Sequence, residues 1–176
     1  MKNIEIINEE IFKIGDYEFI KFIDENENII GVLKDSLYNM QFGANNDFSK
    51  SDILNRLNAE FLPKIANLIG EENILEFETD LTSLDGSTKH GVVKSKVSLP
   101  TLDFYRKNRT IFAKHSIDDW WWLSTPDTTS EYANDDWCLC VSPRGNVNGD
   151  CLSGYGDYGG RPVLVFVSSI FDSLSE

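Results

Sequence analysis

The chain has few of the residues from which metal sites and nucleophilic centres are usually built. Its 176 residues include two histidines, His90 and His115, and three cysteines. A structural zinc site takes four closely spaced Cys or His ligands, and no ligand-type spacing surrounds either histidine. Bases are also scarce: 16 Lys and Arg against 29 Asp and Glu leave a formal net charge of -13. Binding to nucleic acid rests on clustered cations that displace counterions, so no nucleic-acid partner is expected. No apolar run approaches the ~20 residues of a membrane helix, so no membrane span is expected. The N-terminal run Met1-Lys2-Asn3-Ile4-Glu5-Ile6 has no unbroken apolar segment and no small-residue cleavage site. A signal peptide is therefore not expected, and the chain as given reads as cytoplasmic or virion-associated. The glycine-rich run from Gly154 to Gly160 lacks the Lys-Ser/Thr of a phosphate loop. There is no Asp-x-Asp-x-Asp-Gly calcium loop, heptad, internal repeat or low-complexity tail.

What is present suits one globular domain across 1–176, with 41% hydrophobic and 26% charged residues. Residues 1–114 are expected to supply an N-terminal hairpin and helices, and 115–176 tryptophan-rich strands and polar loops. Apolar runs at 11–23 and 29–33, split by Asp24-Glu25-Asn26-Glu27-Asn28, predict antiparallel strands. Ile53, Leu54, Leu57, Phe61, Ile65 and Leu68 recur at helical spacing, with Ser49 or Ser51 as cap, Gly70 as stop and Pro63 dividing the helix in two. Further strands are expected over 73–82, 120–123, 137–141 and 163–167, and a helix over 100–109 with Ser98 as cap. Arg144-Gly145-Asn146 reads as a turn into a short strand at Val147.

The stretch from Asp118 to Val167 organises the rest. It holds all four tryptophans, all three cysteines and six of the twelve glycines. From His115 to Glu176 there are ten acids and two arginines, a balance of -8, against -5 for the longer remainder. That field favours cationic or carbohydrate-like partners.

Several motifs here resemble a family. A helix bearing Leu57-Asn58 and Phe61-Leu62 is followed by Val97-Ser98-Leu99-Pro100-Thr101-Leu102, then Trp121-Trp122-Leu123-Ser124-Thr125-Pro126. A Gly-Asn-Val turn at 145–147 and Gly160-Arg161-Pro162-Val163-Leu164 complete the order. The whole is similar to a bacterial and phage-type domain of unknown function, over about 12–167. The resemblance implies an α+β, C-type-lectin-like fold, as in formylglycine-generating enzymes and phage tropism proteins: a mixed or antiparallel sheet, two or three helices and long C-terminal loops. It departs from the family at Ser124, where Arg is usual, and at Gly160, where Val is common. Some similar proteins diversify this C-terminal region at Asn, Tyr, Asp and Ser positions.

Each motif has a structural reading beside a functional one. Trp120, Trp121, Trp122 and Trp137 are expected in the frame, although an indole left open would stack on a sugar. Arg161 is expected to pair with a loop acid, Asp118, Asp119, Asp135 or Asp136, rather than to hold a ligand carboxylate. Cys138, Cys140 and Cys151 are expected as buried reduced thiols, without a low-pKa setting for catalysis. The acids Asp127, Glu131, Asp135, Asp136, Asp150 and Asp157 read as a solvated face rather than a calcium site. That leaves the loops 124–136 and 144–160, rich in Tyr, Asn, Asp and Gly, which resembles the chemistry of antibody loops. Tyr132, Asn134, Asp136, Asn148, Tyr155, Asp157 and Tyr158 are the candidate contacts. The function expected is recognition of a glycan or protein surface, without cofactor or metal. The alternatives are a structural subunit of a phage or prophage particle, or a cysteine- or metal-dependent enzyme.

Overall fold

A computed structural model describes residues 3–172, apart from the side chain of Asp150. Met1, Lys2 and residues 173–176, on which the N-terminal and single-domain readings partly rest, lie outside the described residues. The arrangement is α+β with sheets that are mostly antiparallel.

The N-terminal apolar runs form a meander of β1 (Ile4–Ile6), β2 (Ile11–Ile14), β3 (Tyr17–Ile23) and β4 (Ile29–Leu33). Gly15, at φ +58°, makes the tight turn between β2 and β3 that the Gly15-Asp16 pair suggests. β1 lies outside the expected hairpin and extends it by one edge strand.

Helix α1 (Asp52–Arg56) starts on Ser51, whose hydroxyl accepts from Leu54 N at 3.2 Å. A single π-turn (Leu57–Phe61) leads into α2 (Leu62–Ile69), with Leu62 N donating to Leu57 O. Pro63 lacks an N–H and crowds the preceding turn. Widening to a π-turn absorbs that conflict, so the two α pieces stay joined. Gly70, at φ +89°, ends the run.

The strand expected over 73–82 is two strands, β5 (Ile74–Leu75) and β6 (Phe77–Asp80), which go to different sheets. β6 pairs with β7 (Val92–Ser95). Helix α3 (Leu102–Lys107) is capped by Thr101, not Ser98: Phe104 N donates to the Thr101 hydroxyl at 3.1 Å. Ser98 instead exchanges backbone hydrogen bonds with Val163 at 3.0 and 2.8 Å. Past Asn108 the helix resumes as α4 (Arg109–Lys114), and a short α5 (Ser169–Asp172) closes the described chain. The described residues hold more helical pieces than the two or three expected, because α4 and α5 lie beyond the helices that the sequence spacing marks.

The C-terminal strands are β8 (Trp121–Pro126), β9 (Trp137–Val141), β10 (Val147–Leu152), β11 (Gly159–Gly160) and β12 (Val163–Phe166). A six-stranded sheet runs β1-β2-β3-β4-β12-β5 and a four-stranded sheet β10-β9-β8-β11. The chain passes from the second sheet to the first through Arg161 and Pro162 alone.

Both faces of the central strands β4, β8, β9 and β12 are covered, which is why these strands read as apolar runs rather than as clean alternation. One core joins Phe12, Phe19 and Phe166 to the helical Leu57, Phe61 and Ile65 and to Trp122. The other joins Ile20, Phe22 and Val32 to Tyr105, Phe112 and Trp121. Gly31 sits in β4 beneath the first core: a Cβ there would stand 2.8 Å from Phe12, 2.9 Å from Phe166 and 3.2 Å from Phe19. Gly31→Ala is expected to cost about 1–3 kcal/mol through overpacking. Denaturant unfolding reads this, and an unchanged midpoint would mean that the three rings leave more room than the contacts indicate.

Candidate recognition site at the tryptophan hairpin

The β8–β9 hairpin places alternate tryptophans on opposite faces of the four-stranded sheet, as strand geometry requires. Trp122 is fully buried in one core, its indole N–H donating to Met40 O at 3.1 Å. Trp121 is buried in the other core, stacked 5.8 Å from Phe112 and edge-on to Tyr105 at 5.6 Å. These two serve as frame. Trp137 begins β9 half-buried. Trp120, also expected as frame, lies one residue ahead of β8, where the sheet gives out, and remains half-buried. Its backbone N–H donates to Asp119 Oδ1 at 2.8 Å, and Asp119 Oδ2 accepts from Ser36 at 3.0 Å. Its ring stacks on Tyr158 with centroids 5.3 Å apart and 13° between planes.

Arg161 corrects the sequence reading. It is 1% exposed and forms neither the expected ion pair with a loop acid nor any other carboxylate pair among the described residues. Its Nε donates to Leu33 O at 3.1 Å, and one terminal nitrogen donates to Lys34 O at 2.7 Å and His115 O at 3.2 Å. The guanidinium lies 5.1 Å from the Trp121 ring and 5.5 Å from Phe112. Burial pulls its pKa down to about 10, so it stays charged at neutral pH. The loop acids serve elsewhere: Asp119 orders Trp120, and Asp135 accepts from Ser130 N.

The cysteine reading is also corrected. Cys140 and Cys151 form a disulfide with Cα atoms 6.4 Å apart, and only Cys138 is a free, buried thiol. In the β9–β10 ladder Cys151 stands opposite Cys138, and a register shift after Asn148 brings it within reach of Cys140. That bulge has no mark in the Cys-x-Cys spacing itself. Burial pushes the Cys138 thiol well above its ordinary pKa.

The candidate contacts fall into separate groups. Tyr132, Asn134 and Asp136 lie in the loop joining β8 to β9, at one end of the hairpin. Tyr132 is 63% exposed, while Asn134 Oδ1 accepts from Asp136 N at 3.0 Å. This loop is held from beneath. The fully buried Asn46 donates to Thr128 O and Trp137 O, each at 2.8 Å, and Ser87 Oγ meets Thr129 Oγ1 and Glu131 Oε2, each at 2.6 Å.

Asn148 and Tyr158 stand at the opposite end, with Trp120. Tyr155 and Asp157 lie in the segment between the two ends. Tyr155 is 47% exposed and edge-on to Tyr158 at 5.2 Å. The Asp157 carboxylate, accepting its hydroxyl's hydrogen bond, holds Tyr155 above its usual pKa.

A cleft of about 300 Å³ opens beside Trp120, lined by Ser142, Pro143, Arg144, Asn146 and Asn148. One wall is the tight turn after β9, where Ser142 N donates to Asn146 O at 2.9 Å and Gly145 N to Ser142 O at 2.8 Å, with Gly145 at φ +81°. Of the expected contacts only Asn148 lines this cleft; Ser142, Arg144 and Asn146 join it because the turn folds back over the sheet end. Their signal in sequence was the turn itself, Pro143-Arg144-Gly145-Asn146, which reads as geometry rather than as a site. The cleft offers a ring face, hydroxyl and amide groups and one guanidinium, a set that hydrogen-bonds and stacks. Among the described residues no three His, Cys, Asp or Glu side chains converge as a metal site requires.

No protein-family model, curated protein or solved structure matches this chain.

Two outcomes test this geometry. Thiol titration of the denatured, unreduced protein is expected to count one thiol per chain, and three after reduction; three before reduction would remove the Cys140–Cys151 bond. Arg161→Met, which leaves three carbonyls without their donor, is expected to cost about 2–5 kcal/mol of stability. A loss under about 1 kcal/mol in denaturant unfolding would show that other groups or water satisfy those carbonyls.

Proposed function

We propose that this chain is a recognition domain that binds a glycan or a protein surface through the loops 124–136 and 144–160, with the cleft beside Trp120 as the primary contact. The observation that carries this reading is the half-buried Trp120 ring, stacked on Tyr158 and facing a cleft edged by Asn146, Asn148 and Arg144. A sugar ring presents an apolar C–H face and a rim of hydroxyls. An indole face flanked by amide and hydroxyl groups complements both. Tyr155 and Tyr132 extend the aromatic surface along the loops.

A C-type-lectin-like fold belongs to the same proposal. It is supported by the sequence motifs and by the parallel pairing of Gly159 and Gly160 with Trp121 and Trp122, which sets the Gly-Arg-Pro segment against the tryptophan strand. Cysteine catalysis is disfavoured: two sulfurs are tied to each other and the third is deeply buried with its thiol pKa raised. Among the described residues no helix is long and apolar enough to cross a membrane. Of the two locations expected, association with a virion is favoured over the cytoplasm, because disulfides persist outside reducing compartments.

A second reading, a subunit of a phage or prophage particle, has its own support. β10 is an edge strand of its sheet and exposes Val147 and Leu152, the kind of edge that another chain can cover. Light scattering on the purified protein separates the two, since a strict monomer at all concentrations counts against the subunit.

Binding to a glycan array and a cell-surface panel tests the main proposal. Trp120→Ala and Tyr155→Ala are each expected to weaken a detected interaction by at least about tenfold. Tyr155→Ala should leave the melting temperature within about 2 °C. Full retention of binding by both variants would remove the cleft from the site.

A further inference from the structure

On the other side of the Ser142–Asn146 turn lies a second cavity, of about 310 Å³, with a different chemistry. Its apolar wall is made by Tyr105, Phe112 and Trp121, and three arginines line it: Arg109, Arg144 and Arg161. The chain has only five arginines, and three of them converge here. Among the described residues no acidic side chain lines the cavity. Among the described residues none of the three forms an ion pair with a carboxylate, whereas Arg56 and Arg106 each do. In a chain of net charge -13, unpaired cations gathered around an acid-free cavity stand out.

The three guanidinium groups differ in how they are held. Arg161 is fixed by the carbonyls of Leu33, Lys34 and His115 through Nε and one terminal nitrogen, and none of these bonds uses its Nη1. It is therefore an immobile cation at the cavity floor, with Asp35 acting on it only through space. Arg109 lies across the Tyr105 ring at 5.4 Å and against Gly145, where a Cβ would stand 2.5 Å from its Nη2. Tyr105 Oη donates to Gly145 O at 2.8 Å, tying the turn to α3. Arg144, at the exposed tip of the turn, borders both this cavity and the Trp120 cleft.

The geometry points to a binding site for a small ligand that joins a carboxylate or phosphate group to a flat apolar body. The oxyanion would sit among Arg161, Arg109 and Arg144, and the apolar body against Ala113 and Ile117 and the ring edges of Phe112, Trp121 and Tyr105 that reach the cavity. Guanidinium forks suit planar oxyanions, and a cavity near 310 Å³ is at the small end of ligand sites. A bound anion would also offset the cost of burying the Arg161 charge without a carboxylate. This site is independent of glycan or protein recognition at Trp120.

Calorimetric titration of the whole chain with benzoate, phenyl phosphate and benzylamine tests it, with intrinsic tryptophan fluorescence as a second readout. Benzoate or phenyl phosphate is expected to bind with Kd below about 1 mM, and benzylamine not at all. A preference for benzoate assigns the site to carboxylates, and a preference for phenyl phosphate assigns it to phosphates. Arg109→Ala and Arg144→Ala should each weaken that binding by about tenfold, with the ligand-free melting temperature within about 2 °C. Trp120→Ala should leave it unchanged, so failure here and failure of the recognition proposal are read separately. Equal binding of benzylamine, no binding of either anion at about 10 mM, or unaltered affinity in both arginine variants would overturn the proposal.

Discussion

Arg161 occupies the point where the two large sheets of this protein become one chain. Gly160 belongs to the four-stranded sheet and Val163 to the six-stranded one, so the crossing takes two residues. At that crossing the Arg161 guanidinium donates to carbonyls at the end of β4 and just past α4, and packs on Trp121 and Phe112. A planar group with five donors can serve several carbonyls whose directions do not coincide, which no single backbone ladder can do. The constraint holds a sheet, a helix and the tryptophan strand in one relation. It also explains why a charge is tolerated at 1% exposure: the charge is met by oxygens and ring faces rather than by a counterion.

That arrangement decides where chemistry can happen. Both faces of the β8–β9 hairpin are packed, so its middle is closed and only its ends present side chains. At one end the loop 127–136 is tied down by Asn46 and Ser87. At the other, the Ser142–Asn146 turn divides the surface into two cavities of opposite temper. One faces Trp120 with amides and hydroxyls; the other gathers arginines over aromatic rings. Arg144 borders both.

Much of the local structure was legible because it depends on neighbours in sequence. The helical spacing of Ile53, Leu57, Phe61 and Ile65 marks their buried face, Ser51 and Gly70 mark the ends, and Pro63 marks a disturbance. The alternation of Trp120, Trp121 and Trp122 follows from strand geometry alone. The site was less legible. Tyr132, Asn134 and Asp136 share a composition with Asn148 and Tyr158, yet a strand length separates the two groups, with Tyr155 between them. The disulfide depended on a bulge between Asn148 and Cys151, and the cap of α3 on Thr101 rather than Ser98, because Ser98 is drawn into a bridge with Val163.

The sequence by itself determined the helical and strand periodicities, the tight turns and the acidic character of the C-terminal region. These follow from side-chain period, backbone freedom and net charge, all of which act over a few residues or over the whole chain. Only the tertiary structure decided the partner of Arg161, the pairing of Cys140 with Cys151, the exposure of Trp120 and the convergence of Arg109, Arg144 and Arg161. Each of those depends on which distant segments the sheets bring into register, and a one-residue shift in a strand exchanges its faces.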